Sequence, residues 1–189
     1  MITFLPYPDF VKSAKVLDTR RLTNQVKETY AIWQATTDPE FGWQKHPAVI
    51  MWMGYQEALI AYGLAMVKEC TARKRYSEFD SFFEYRFNRE HTTQEFNNLS
   101  TFMELPPFIG DTKFHTSHRN ALLVKNPRWY GDLGWVEGLV ALARPPKIAY
   151  FWPVRHVRFT WIFASMRYFE IYYPKLDIQD GDVCSVIGA

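Results

Sequence analysis

The octapeptide RLTNQVKE, Arg21 to Glu28, holds side chains that could do chemistry. On a helix, steps of four and three bring Arg21, Gln25 and Glu28 onto one face, while Leu22, Val26, Thr29 and Trp33 point elsewhere. A carboxylate on such a face can stabilise positive charge growing at a sugar carbon, orient a water or amine nucleophile, or shuttle a proton. A guanidinium two turns away can hold phosphate. The same pattern also suits a plain solvated helix surface, so its surroundings matter.

Those surroundings are basic and aromatic. The net charge of +2 is too small to name a partner, but the cations cluster at Arg20 and Arg21, Arg73 to Arg75, Lys125 and Arg128, and across Arg144 to Arg158, while acids gather in 78–104 and 170–182. Tyr76, Trp129, Tyr130, Tyr150 and Trp152 stand beside these clusters. Such rings can stack on bases, although most large rings fill interiors. His115 and His118 have the HxxH spacing that can bind a metal, with His46 as a third ligand. No carboxylate or cysteine is spaced to support them, so they are read, with Arg119, as hydrogen-bond donors to phosphate or as caps of a polar pocket, and neither metal nor cofactor is expected.

Other chemistries lose their signatures. The chain has no GxxxxGK[ST] loop, no GxGxxG after a strand, no GxSxG elbow and no paired CxxC. Cys70 and Cys184 are far apart and no secretory start precedes them, so a disulfide framework is not expected and a cytoplasmic protein is. The most membrane-like stretch, AVIMWMGYQEALIAYGLAMV, is interrupted by Gln56 and Glu57.

The elements that must position these residues read as helices. At 189 residues and 48% hydrophobic content the chain suits one domain with its own core. Asp9 caps a short helix to about Leu17, a second runs from near Thr19 to Trp33, and ATTDPEFGWQKHP is a loop. Apolar residues at three-to-four spacing predict a long amphipathic helix from Ala48 to about Arg73. Residues 76–90 suit another helix, followed by the polar NREHTTQEFNNLS as an exposed insertion or hairpin. A helix is predicted over Thr112 to Lys125 and ended by Pro127; beyond it WVEGLVALA is short and apolar, PPKIAYFWP extended, and residues 154–173 lean to helix. The expectation is a mainly α, compact single-domain fold, 1–189, with a long central helix and an additional C-terminal segment.

Three separated stretches carry a resemblance. RLTNQVKE resembles the HLxxExRE helix of the pyrimidine-dimer DNA glycosylase superfamily of endonuclease V type. HPAVIMWMGYQEALIAYGLAMVKE is similar to that family's long central helix, and SHRNALLVKNPRWY to its C-terminal helix with the following PxWY. Order and spacing agree over residues 1 to about 130, leaving 131–189 as an extension. The opening ITFLPYPDF with LDTRRL, HPAV and FHTSHRNALL looks closer still to a bacterial and phage branch of the superfamily.

The resemblance implies an all-α domain that binds bent duplex DNA on a basic face, flips out a nucleotide and releases its base through attack of the N-terminal α-amine on C1′. It assigns Glu28 to the catalytic glutamate, Lys27 to the arginine before it and Arg21 to a histidine at the helix entry. Gln25 falls where the family has a second glutamate. Residues 126–130, with Arg128, Trp129 and Tyr130, fall on the DNA-facing PxWY, and His118 lies one residue from an arginine there. The family's amine belongs to a small residue exposed by methionine removal, whereas Ile2 is too bulky for that; Met1 itself, or a water held by Glu28, is left as the nucleophile. The expected DNA contacts are therefore Arg20, Arg21, Gln25, Lys27, His46, His115, His118, Arg119, Lys125, Arg128, Trp129 and Tyr130, in a monomer that removes a damaged or modified pyrimidine, with or without a lyase step that cleaves the abasic strand. The alternatives are a non-catalytic DNA-binding protein on the same scaffold and an enzyme of free nucleosides or nucleotides.

Overall fold

Three aspartates open three of the helices. Asp9 accepts from the Lys12 N–H, Asp18 from the Arg21 N–H and Asp111 from the Phe114 N–H, at 2.7, 3.0 and 2.9 Å, each satisfying a donor the first turn leaves open. The computed structural model describes residues 1–135 and 150–153, and every regular element among them is helical: α1 (Phe10–Val16), α2 (Thr19–Thr37), α3 (Pro47–Ile50), α4 (Gln56–Ala72), α5 (Asp80–Asn88), α6 (Thr93–Asn97), α7 (Leu99–Phe102), α8 (Thr112–Lys125) and α9 (Pro127–Tyr130), closed by a 3-10 turn at Gly131–Leu133. The fold is mainly α.

The centre of the fold is α4. Every residue from Ala58 to Val67 is buried, so the helix is apolar on all sides and other elements surround it. Helices α1, α2 and α5 pack on it. At Gly63 a side chain would collide with the fully buried ring of Phe83, so the glycine lets α5 approach the backbone of α4. A second layer of rings ties α2 to α5: Tyr30 stacks on Phe79 at 4.4 Å and Trp33 meets Phe82 at 4.6 Å.

Three elements differ from the sequence expectation. The long helix read from Ala48 is two helices, because the chain turns through 51–55 and Gly54 takes a left-handed φ of 84° before α4 begins. The polar stretch read as an insertion or hairpin contains α6, closed by a capping box in which Thr92 and Glu95 satisfy each other's backbone N–H. Pro127 ends α8 and also starts α9, with Asn126 as its cap. Of the stretches predicted beyond residue 134, only Trp135 and residues 150–153 lie among those described, and they form no regular element.

Candidate active site

The residues before α1 form no helix and no strand, yet Thr3, Phe4, Leu5 and Pro6 are buried. Backbone groups taken from water need partners, and here side chains supply them. The Ile2 N–H donates to Glu28 Oε2 at 2.5 Å and the Phe4 N–H to Gln25 Oε1 at 2.7 Å. The Leu5 N–H donates to His118 Nδ1 at 3.0 Å, and His115 Nδ1 donates to the Leu5 carbonyl at 2.7 Å. Arg119 reaches the Pro6 carbonyl at 2.8 Å, and Ser13 pairs with both backbone groups of Tyr7. From α4 the Tyr62 hydroxyl lies 2.6 Å from Gln25 Oε1 and 3.0 Å from the Phe4 carbonyl, while Trp52 donates to Thr3. The arm is thus threaded between α2, α4 and α8, and its first residue ends at Glu28.

A cleft of about 540 Å³ opens at that point. Arg20, Arg21, Asn24, Gln25 and Glu28 of α2 form one wall, Met1, Ile2 and Phe4 of the arm another, and His46, Lys125, Tyr150 and Trp152 complete it. Arg21 is fixed there from behind. Its guanidinium pairs with the Asp18 carboxylate and lies over the Tyr130 ring, 5.8 Å from the centroid. Burial alone would raise the Asp18 carboxyl, but the Arg21 N–H, the Tyr130 hydroxyl and the Arg21 guanidinium together hold it below the usual carboxylate range. On the facing wall, burial and the positive N-terminus keep His46 below the ordinary histidine range, and its Nδ1 accepts from the Ala48 N–H at 3.1 Å. Its Nε2 is then the protonated nitrogen, and a neutral donor. Burial pushes the Tyr150 hydroxyl up, and the charge of Glu28 pushes it further, so that group too is a neutral donor.

Of the residues read from the sequence, the structure brings Met1, Arg20, Arg21, Gln25, Glu28, His46 and Lys125 to one cleft. Others go elsewhere. His115 and His118 are buried and serve the arm, not a phosphate. Because Gly110 N–H donates to His115 Nε2, the proton of that ring sits on Nδ1, toward Leu5. Burial holds His118 down to about 3, with the neighbouring His115 adding to the effect. Arg119 is engaged with Pro6 and Thr116. Trp129 donates to the Val16 carbonyl, and Tyr130 is buried with its hydroxyl donating to Asp18 at 2.8 Å. The PRWY segment therefore braces the α1–α2 junction and, through Asp18, Arg21. Lys27 and Arg128 are exposed outside the cleft lining. Asn24 was not singled out, although its place three residues after Arg21 and four before Glu28 put it on the same face.

Among the described residues no group of three or more His, Cys, Asp or Glu is placed to hold a metal, and no helix is long and apolar enough to cross a membrane. No curated protein and no solved structure matches the chain. A family model, pyrimidine dimer DNA glycosylase, matches residues 1–93, a span that holds the arm and helices α1 to α5 but not Lys125, Tyr150 or Trp152. Over those residues, which include Met1 and the Glu28 face of α2, the chain is similar to the pyrimidine dimer DNA glycosylase family.

Proposed function

We propose that the protein is a DNA N-glycosylase that removes a damaged or modified pyrimidine from duplex DNA, with Glu28 and the α-amine of Met1 as its catalytic groups. The observation that carries this reading is the Ile2 N–H bonded to Glu28 Oε2 at 2.5 Å inside a cationic cleft. One peptide unit from that bond lies the chain's first nitrogen, held by an arm with side-chain partners along its length. A cleft of this size falls within the range of small-ligand pockets, about 300–1,000 Å³, and suits a nucleotide turned out of the stack. Arg20, Arg21 and Lys125 supply the cations for the phosphates on either side of it.

The chemistry follows from that arrangement. The amine lone pair attacks C1′ while the glycosidic bond breaks toward the base, which leaves with that electron pair and takes up a proton. Glu28 stabilises the positive charge that grows at C1′ and accepts the proton the attacking amine must lose. Opening of the C1′–O4′ bond then gives a Schiff base between residue 1 and the sugar. Removal of a C2′ proton from that species would expel the 3′ phosphate, which is the lyase step. Holding the amine at the reacting carbon is the larger contribution, because orientation removes the entropy of a bimolecular encounter.

Borohydride added during turnover tests the reading on oligonucleotides carrying photodimers, oxidised, alkylated or hypermodified pyrimidines. A reduced adduct on residue 1, lost when the N-terminus is acetylated or extended, is the expected result. Base release without any adduct would assign the nucleophile to a water held by Glu28. An adduct on a lysine side chain such as Lys27 would refute both versions.

A further inference from the structure

Turning a nucleotide out of a duplex leaves a gap, and proteins that do so commonly fill it with an apolar or aromatic wedge. This inference rests on the reading of the Glu28 cleft given above. Trp129 and Tyr130, which the sequence placed among rings able to stack on bases, are tied to Val16 and Asp18. The loop between α2 and α3 offers another ring. Trp43 is 65% exposed, an unusual state for so large an apolar side chain, and its backbone takes a left-handed φ of 74° that a bulky residue adopts only under strain.

The loop that carries it is braced from within. Asp38 Oδ1 accepts from the Glu40 N–H, Gln44 Nε2 donates to the carbonyls of Asp38 and Pro39, and the His46 N–H donates to the Trp43 carbonyl at 2.8 Å. A wedge needs that stiffness, since a side chain on a slack loop would lose ordering entropy on insertion. Position also fits. The Trp43 ring stands edge-on to His46 with centroids 6.0 Å apart, and His46 lines the Glu28 cleft. On the other side of His46 the loop walls a hollow of about 840 Å³, where Lys45 is exposed beside Trp43.

We propose that Trp43 is the wedge: its indole enters the duplex where the nucleotide has left and stacks on the neighbouring base, while Lys45 meets the adjoining phosphate and His46 separates the filled gap from the cleft. The role lies within the family-matched residues but on a loop whose ring has no part in the glycosidic chemistry.

The test uses the full-length protein and two duplexes, one undamaged and one with a tetrahydrofuran abasic-site analogue next to 2-aminopurine. The unmodified protein is expected to prefer the abasic duplex and to quench the 2-aminopurine on binding. Trp43→Ala should lose about tenfold of that preference, within what one base–aromatic stack supplies, and the quenching with it, while affinity for undamaged duplex changes less than twofold. Trp43→Phe should retain most of both, which also separates stacking from any folding defect of the alanine variant. An unaltered preference and quenching in Trp43→Ala would overturn the wedge alone, as would equal binding of the two duplexes by the unmodified protein. Failure of the unmodified protein to bind either duplex would overturn the glycosylase reading and the wedge together.

Discussion

Gln25 shows how much one atom can carry. Its Oε1 accepts from the Phe4 N–H and lies within bonding distance of the Tyr62 hydroxyl, with the residue 1% exposed. A carboxylate would accept the same bonds, but it would bring a second negative charge into the wall that Glu28 already occupies. Gln25→Glu should therefore fold with a raised carboxyl pKa. Its stability relative to the unmodified protein should be intact below pH 4.3, the unfolded glutamate value, and fall as pH rises, which paired denaturation curves at pH 4 and pH 7 would reveal; a deficit independent of pH would contradict the charge argument. Glu28→Gln keeps the shape and the acceptor for Ile2 but removes the charge. Base release should drop by about 10²-fold or more, with duplex affinity equal or higher, and undiminished release on the true substrate would remove Glu28 from the mechanism. Arg21, Gln25 and Glu28 could be placed together from sequence because a helix has one period. His115 and His118 could not, since their spacing says nothing about a backbone more than a hundred residues earlier that needs partners.

Among the elements, α4 and α5 meet at a place where an ordinary rule reverses. Glycine within a helix is usually worse than alanine by about 1 kcal/mol, yet at Gly63 an added methyl would enter the space of the Phe83 ring. Gly63→Ala should lower stability by about 1–3 kcal/mol, read as a shift in the denaturant midpoint at constant slope; a gain would mean that Phe83 can move aside. The sequence displayed α1, α2 and α8 through their caps and periods, and it displayed the apolar run of α4. It hid the break at Gly54, because an apolar stretch looks continuous across a turn that keeps both sides buried. The box of α6 was present as TTQE ahead of Phe96, but the polar composition around it outweighed that signal. Tyr150 and Trp152 were visible as aromatics near cations, but their place on the cleft depends on how the chain returns to the fold.

For the molecule as a whole, acid is the sensitive direction. His118 is neutral in the fold and its folded pKa is depressed to about 3 by burial, while in the unfolded chain it titrates near 6.5. Below that value the unfolded state binds the extra proton, so stability is present above pH 6.5 and is lost as pH falls toward 3, at up to about 1.4 kcal/mol per unit. His115, also held low first by burial, adds to the loss. His118→Asn, which puts an amide oxygen near the position of Nδ1, should flatten the slope of stability against pH between 6 and 4, and an unchanged slope would exclude His118 as its source. Duplex affinity should fall steeply with salt if Arg20, Arg21 and Lys125 meet phosphates, and Lys125→Ala should reduce that slope by about one.

The arm also imposes an order in time. The N-terminus is made first, but the acceptor for the Leu5 N–H lies 113 residues further along the chain. At translation rates of about 5–20 residues per second the first residue waits on the order of ten seconds before α8 exists to seat it. A nascent chain thus carries its N-terminal arm with no partners around it, and the cleft is assembled only once residues from both halves of the protein have come together.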